Sequence, residues 1–66
     1  MITCENIRIF LSNNPRKRYS TKEIAIMFGI SFKDALAKLI TLEHRQKIKR
    51  EKIICDDKIE RYVYFI

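Results

Sequence analysis

Ser20-Thr21-Lys22-Glu23-Ile24-Ala25-Ile26-Met27-Phe28-Gly29-Ile30-Ser31-Phe32-Lys33-Asp34 holds two helix starts and one helix stop. Ser20 can cap the backbone of a helix, and Glu23 can reach back to the Ser20 amide three residues away. Gly29 ends that helix where a tight turn needs positive φ, which only glycine adopts without penalty. Ser31 opens a second helix in the same way, with Asp34 where glutamate is usual. The stretch therefore reads as two short helices joined by a tight turn.

Outward from this centre the elements follow in order. A first helix spans about Thr3 to Ser12, with Thr3 as its cap and Glu5 in its first turn, where the helix dipole favours negative charge. Ile7, Phe10 and Leu11 fall on one face, extended by Cys4. Asn13-Asn14-Pro15 ends this helix, because the residue before proline avoids the α region. Arg16-Lys17-Arg18 is a basic loop, and a short extended segment through Arg18 and Tyr19 can pair with a later strand. The second helix spans Thr21 to Phe28, with Ile24, Ala25 and Phe28 facing the core, Met27 at its margin, and Ile30 buried in the turn. The third spans Phe32 to Arg45. At 100° per residue, Phe32, Ala35, Leu36, Leu39 and Leu42 gather on its inner side. Lys33, Ala37, Thr41 and His44 lie opposite, flanked by Lys38, Arg45 and Asp34, with Ile40 near the edge. From Lys47 the period changes to two. Lys47 to Ile54 and Ile59 to Ile66 read as strands, joined at the turn signal Asp56-Asp57-Lys58. Val63 and Phe65 share one face of this hairpin, Tyr62 and Tyr64 the other. Both tyrosines are expected to pack in the sheet rather than stack on bases.

Size and charge bound what this arrangement can do. The 66 residues, 47% of them hydrophobic and with one glycine and one proline, suit a single α+β domain over 1–66 with short loops. A chain of that length buries only about 60% of its unfolded surface, so its stability is marginal. No apolar run approaches the roughly 20 residues that span a bilayer. Glu5 and Arg8 interrupt the apolar N-terminal residues, unlike a signal peptide, so an intracellular, cytoplasmic location is expected. Fourteen Lys and Arg against eight Asp and Glu give a net charge of +6 and a pI near 9.6. A polyanionic partner follows, and nucleic acid fits better than a membrane surface, because no segment is both strongly amphipathic and basic on its polar face.

Catalysis finds no support. There is no phosphate-cradling glycine loop, no carboxylate pair in an apolar setting, and no nucleophile with an evident base. Cys4, Cys55 and the single His44 do not make a four-ligand zinc site. The two cysteines are either small half-buried hydrophobes or a disulfide closing a long loop, which could contribute about 4 kcal/mol. No cofactor, metal or small-molecule effector is expected.

Helix, short strand, helix, turn, helix and hairpin, in that order, resemble a winged helix-turn-helix domain. The likeness is carried by Ser20-Thr21-Lys22-Glu23-Ile24-Ala25, Phe28-Gly29-Ile30-Ser31, Leu36-Ala37-Lys38-Leu39 and Leu42-Glu43-His44-Arg45-Gln46-Lys47-Ile48-Lys49-Arg50. In the last run Gln46 stands where this superfamily usually has glycine, between recognition helix and wing. Within the superfamily the chain is similar to the minimal transcription regulators of archaea and archaeal viruses, which would place it in the host cytoplasm if viral.

The resemblance implies sequence-specific binding to double-stranded DNA. The recognition helix, about 32–45, would enter the major groove, and the basic wing, 47–66, would lie on the backbone. Lys33, Ala37 and Thr41 would read bases, aided by Lys38, His44 and Arg45. Lys49, Arg50, Lys52, Lys58 and Arg61 on the wing, and Lys22 at the start of the second helix, would grip phosphates. Three elements would thus form one basic surface. Asp56 and Asp57 depart from a basic wing tip. Ile2, Ile9 and Ile26, which lie outside the expected core, offer a homodimer surface. A winged helix that binds protein, or one that binds RNA, remains the alternative at this stage.

Overall fold

The computed structural model describes residues 2–54 and 56–66. Three helices, α1 (Cys4–Ser12), α2 (Thr21–Phe28) and α3 (Phe32–His44), pack against three strands, β1 (Tyr19–Ser20), β2 (Lys49–Ile54) and β3 (Glu60–Phe65). The sheet is antiparallel throughout, in the order β1-β3-β2. The chain is thus a small α+β domain.

Local chemistry explains each helix boundary. The Thr3 hydroxyl accepts the Asn6 amide, and the Asn6 side chain accepts the Thr3 amide. This reciprocal cap uses asparagine in place of the usual glutamate or glutamine. At the other end the Asn14 side-chain amide donates to the Phe10 carbonyl at 2.8 Å, filling an acceptor that the helix leaves open. Ser20 and Glu23 form the expected box at the start of α2. Gly29 follows at φ 65°; its amide donates to Ile26 and that of Ile30 to Ala25, the Schellman arrangement. Ser31 caps α3 through the Asp34 amide.

The third helix ends at His44 rather than Arg45 because Gln46 takes the left-handed conformation, φ 60°. The Gln46 amide donates to Glu43 and that of Lys47 to Leu42, closing a second Schellman turn. This turn consumes Lys47, so β2 starts at Lys49, two residues later than the change of period suggests. β3 is likewise one residue shorter at each end than expected.

The core holds Ile7 and Leu11 of α1, Ile24 and Ala25 of α2, Ala35, Leu39 and Leu42 of α3, with Ile48 and Tyr64. Phe10 joins α1 to the rest: its ring centroid lies 5.2 Å from that of Tyr19 and 5.5 Å, edge-on, from that of Phe28. Tyr64, only 1% exposed, turns into the core from the central strand β3. Val63 is also buried, on the opposite face of the sheet between Ser20 and Glu51.

Several residues expected inside are not fully there. Met27 is 48% exposed and Phe32 56%, while Phe10, Phe28, Ile30 and Leu36 are half-buried. Both Met27 and Phe32 sit at the rim of their helix's inner arc, where packing against a neighbour decides burial. Ile2, expected on the outside, is half-buried against the core. It precedes the Thr3 cap, in extended chain, so a helical wheel does not govern its direction.

Candidate nucleic-acid interface

The outer face of α3 presents Lys33, Ala37 and His44, all exposed. Lys33 lies in the first turn and His44 in the last. Ala37 between them keeps the middle of this face low. Thr41 is half-buried, and its hydroxyl donates to the Ala37 carbonyl at 2.9 Å. Its proton is thereby committed to the helix backbone, leaving the oxygen lone pairs and the methyl for an incoming group.

Lys38 and Arg45 occupy the flank of α3 away from the hairpin. The Cys4 thiol of α1 donates to the Lys38 carbonyl at 3.8 Å. The Lys38 side chain is only 21% exposed, and its ammonium lies 3.8 Å from Asp34. Arg45 is exposed at the helix C-cap. Lys22 is exposed one residue into α2.

The hairpin's cations do not share one surface. Arg50 pairs in register with Tyr64, and Lys52 with Tyr62, so both lie on the sheet face that holds the core. Lys49 opposes Phe65 and Arg61 opposes Ile53, which puts these two on the outer face. Lys58 stands in the turn at φ 61°. The expected single basic surface is therefore split by the alternation of the strands.

Several of these charges already have partners. Lys52 lies 3.1 Å from Glu60, Arg61 3.4 Å from Asp57, and Arg50 3.7 Å from Glu43 of α3. The Arg50 guanidinium also sits 4.5 Å from the centre of the Tyr62 ring. On the outer face Arg18 reaches Glu51 at 2.7 Å and lies over Phe65. Pairs this exposed add little stability, but they fix where the cations stand. Among the described residues Lys22, Lys33, Arg45, Lys49 and Lys58 form no ion pair. Arg16 and Lys17, read as a solvated loop, are unpaired in the same sense.

Between α3 and the hairpin runs a cleft of about 530 Å³ that the sequence reading does not contain. Phe32, Leu36 and Ile40 line it from α3, Tyr62 from β3, Lys22 from the start of α2 and Arg50 from β2. The signal was present as a four-residue spacing, Phe32 to Leu36 to Ile40, along one edge of the inner arc. The sheet covers the centre of that arc and leaves this edge open.

Of the three isoleucines proposed for self-association, Ile9 (45%) and Ile26 (70%) are exposed, while Ile2 is not. Cys55 lies outside the described residues, and so does any pairing of Cys4 with it. Among the described residues, no cluster of His, Cys, Asp and Glu could hold a metal ion, and no helix is long and apolar enough to cross a membrane. No protein-family model, curated protein or solved structure matches this chain.

Proposed function

We propose that this chain is a winged helix-turn-helix domain that binds double-stranded DNA and acts in transcription regulation. The observation that carries the reading is the outer face of α3, where exposed Lys33 and His44 flank the low Ala37. A helix with that profile fits the major groove, with Lys33 able to bond guanine edges and the Ala37 or Thr41 methyl able to meet a thymine methyl. Two further features support it. The Arg50–Glu43 pair and the shared cleft bring the hairpin next to α3, where a wing would stand. The unpaired cations Lys22, Lys33, Arg45 and Lys49 are available for phosphates without first breaking an ion pair.

Within this proposal the roles divide as follows. Lys33, Ala37 and Thr41 read sequence, with Thr41 acting as acceptor and methyl rather than donor. Lys22, Arg45 and Lys49 supply phosphate contacts. Arg50, Lys52 and Arg61 do so only by sharing with Glu43, Glu60 and Asp57.

The test is selection of bound duplexes from a random DNA pool by the whole chain and by Lys33→Ala. The parent is expected to enrich a defined site, and Lys33→Ala to lose about 1–3 kcal/mol of discrimination at one base pair. Enrichment of no sequence, or an unchanged preference in Lys33→Ala, would overturn the reading. Equal binding to duplex RNA would point to shape recognition of RNA instead.

A further inference from the structure

We infer that the cleft between α3 and the hairpin docks an apolar, carboxylate-bearing segment of a protein partner. The inference does not depend on duplex binding: the floor residues Phe32, Leu36 and Ile40 take no part in it, although Lys22 and Arg50 enter both.

The floor of the cleft is apolar and open. Phe32 is 56% exposed, Ile40 46% and Tyr62 41%, with Leu36 half-buried between the first two. Phe32, Leu36 and Ile40 form a row because residues four apart stack on one side of a helix. Single exposed apolar residues need no explanation, but a contiguous row in a concave site on so small a body marks a contact surface. Its length and spacing suit an amphipathic helix laid alongside, with anchors at three- and four-residue spacing.

The rim selects the occupant by charge. Lys22 and Arg50 line the cleft against Glu60, whose carboxylate already lies 3.1 Å from Lys52, while the Arg61 charge is turned to the outer face beside Asp57. Arg50 is loosely engaged: the carboxylate it pairs with, Glu43, is 3.7 Å away, beyond good hydrogen-bond distance. It can turn to a new carboxylate while its guanidinium stays on Tyr62. A second copy of this chain is a poor occupant, because it carries the same rim and a net charge of +6. A nucleic-acid strand is also a poor fit. Two of the three α3 floor residues are aliphatic, and Arg50 already covers the Tyr62 ring, so few aromatic faces remain for stacking bases. Leucine or phenylalanine on the floor and aspartate or glutamate at the rim satisfy every group.

The probe is a synthetic amphipathic helix with leucines at three- and four-residue spacing and glutamates on its other faces, titrated into the isotope-labelled whole chain. Saturable shifts are expected at Phe32, Ile40 and Tyr62. Phe32→Ala/Ile40→Ala should weaken the peptide at least about tenfold, since anchors at the centre of a contact carry most of its affinity. Both side chains are half-exposed, so the fold should persist, and duplex affinity should change less than about threefold. Without altering the protein, a peptide with lysine in place of glutamate should also bind at least about tenfold more weakly. The inference is overturned by no binding, by equal affinity of the double variant, by equal affinity of the lysine peptide, or by a polyglutamate peptide that binds as well. Displacement of the peptide by a short oligothymidine at lower concentration would assign the cleft to single strands and overturn it too.

Discussion

Gln46 occupies a position made for glycine. At φ 60° an L-residue loses about 1–2 kcal/mol relative to the right-handed region. The two amide bonds that close the turn onto Leu42 and Glu43 hold it there. Gln46→Gly is expected to stabilise the protein by about 1 kcal/mol, the gain being reduced by glycine's larger unfolded-state entropy. A higher urea midpoint with unchanged slope would be the sign of it, and a lower midpoint would contradict it. A second residue-scale effect is electrostatic. The Arg8 guanidinium hydrogen-bonds the Glu5 carboxylate and, with its charge and that of Lys47, holds the Glu5 carboxyl below its ordinary value near 4.5 against a smaller desolvation effect. Glu5 in turn raises Arg8. A carboxyl depressed in the folded state stabilises above its unfolded value and loses that contribution as pH falls through the folded one. Glu5 is exposed and Arg8 half-buried beside it, so salt weakens the effect. In Arg8→Ala the Glu5 carbon resonance should titrate at a higher pH, close to the ordinary value. A midpoint that stays low would assign the depression to the helix dipole instead.

At the scale of elements, α2, Gly29 and α3 form a unit whose geometry rests on one φ angle and one buried row. A Cβ built on Gly29 meets nothing within 4 Å, so Gly29→Ala costs only the left-handed conformation. The expected loss is about 1–2 kcal/mol, read as a lower melting temperature. Burial sets the contrast between two other side chains. Leu39 is 0% exposed and Ile26 70%. Leu39→Ala should cost about 2–5 kcal/mol through lost transfer energy and a cavity, whereas Ile26→Ala should stay within about 0.5 kcal/mol. Similar losses at both sites would mean that Ile26 is covered in solution, as self-association through that face would require. Light scattering on the same samples separates the two. These helices were legible because caps act within three or four residues. Thr3, Ser20, Ser31 and Gly29 each announce a boundary on their own. The end of α3 was less legible, because glutamine carries no signal for the left-handed turn it adopts.

Across the whole molecule, charge is abundant but unevenly available. Among the described residues, six of the fourteen Lys and Arg stand in ion pairs with carboxylates. If duplex binding is electrostatic at root, the logarithm of affinity should fall linearly with the logarithm of salt, by about 0.9 per phosphate neutralised. Arg45→Ala or Lys22→Ala should then flatten that slope by about one, since each removes a cation free to meet a phosphate. Lys52→Ala should flatten it less, because its ammonium already lies 3.1 Å from Glu60. Fluorescence anisotropy over a salt series measures all three, and equal slopes for the three variants would refute the distinction. The body measures 34 × 23 × 20 Å, and its long dimension is about one turn of B-DNA.

Patterns spanning a few residues told most of the local story from the chain alone: three helices with their caps, a glycine turn, a strand beside Tyr19, and a C-terminal hairpin. Such elements depend on hydrogen bonds and periodicities that close within a turn of helix or a step of strand. Packing settled what no short window contains. Alternation along β3 separates Tyr62 and Tyr64 from Val63 and Phe65, but only the seating of the sheet on α1, α2 and α3 puts Tyr64 inside. The same seating leaves Phe32 and Ile40 open beside Tyr62, and the β2–β3 register divides the hairpin's cations between two faces. These outcomes turn on contacts between segments far apart in sequence, where burial of one side chain is decided by the position of another.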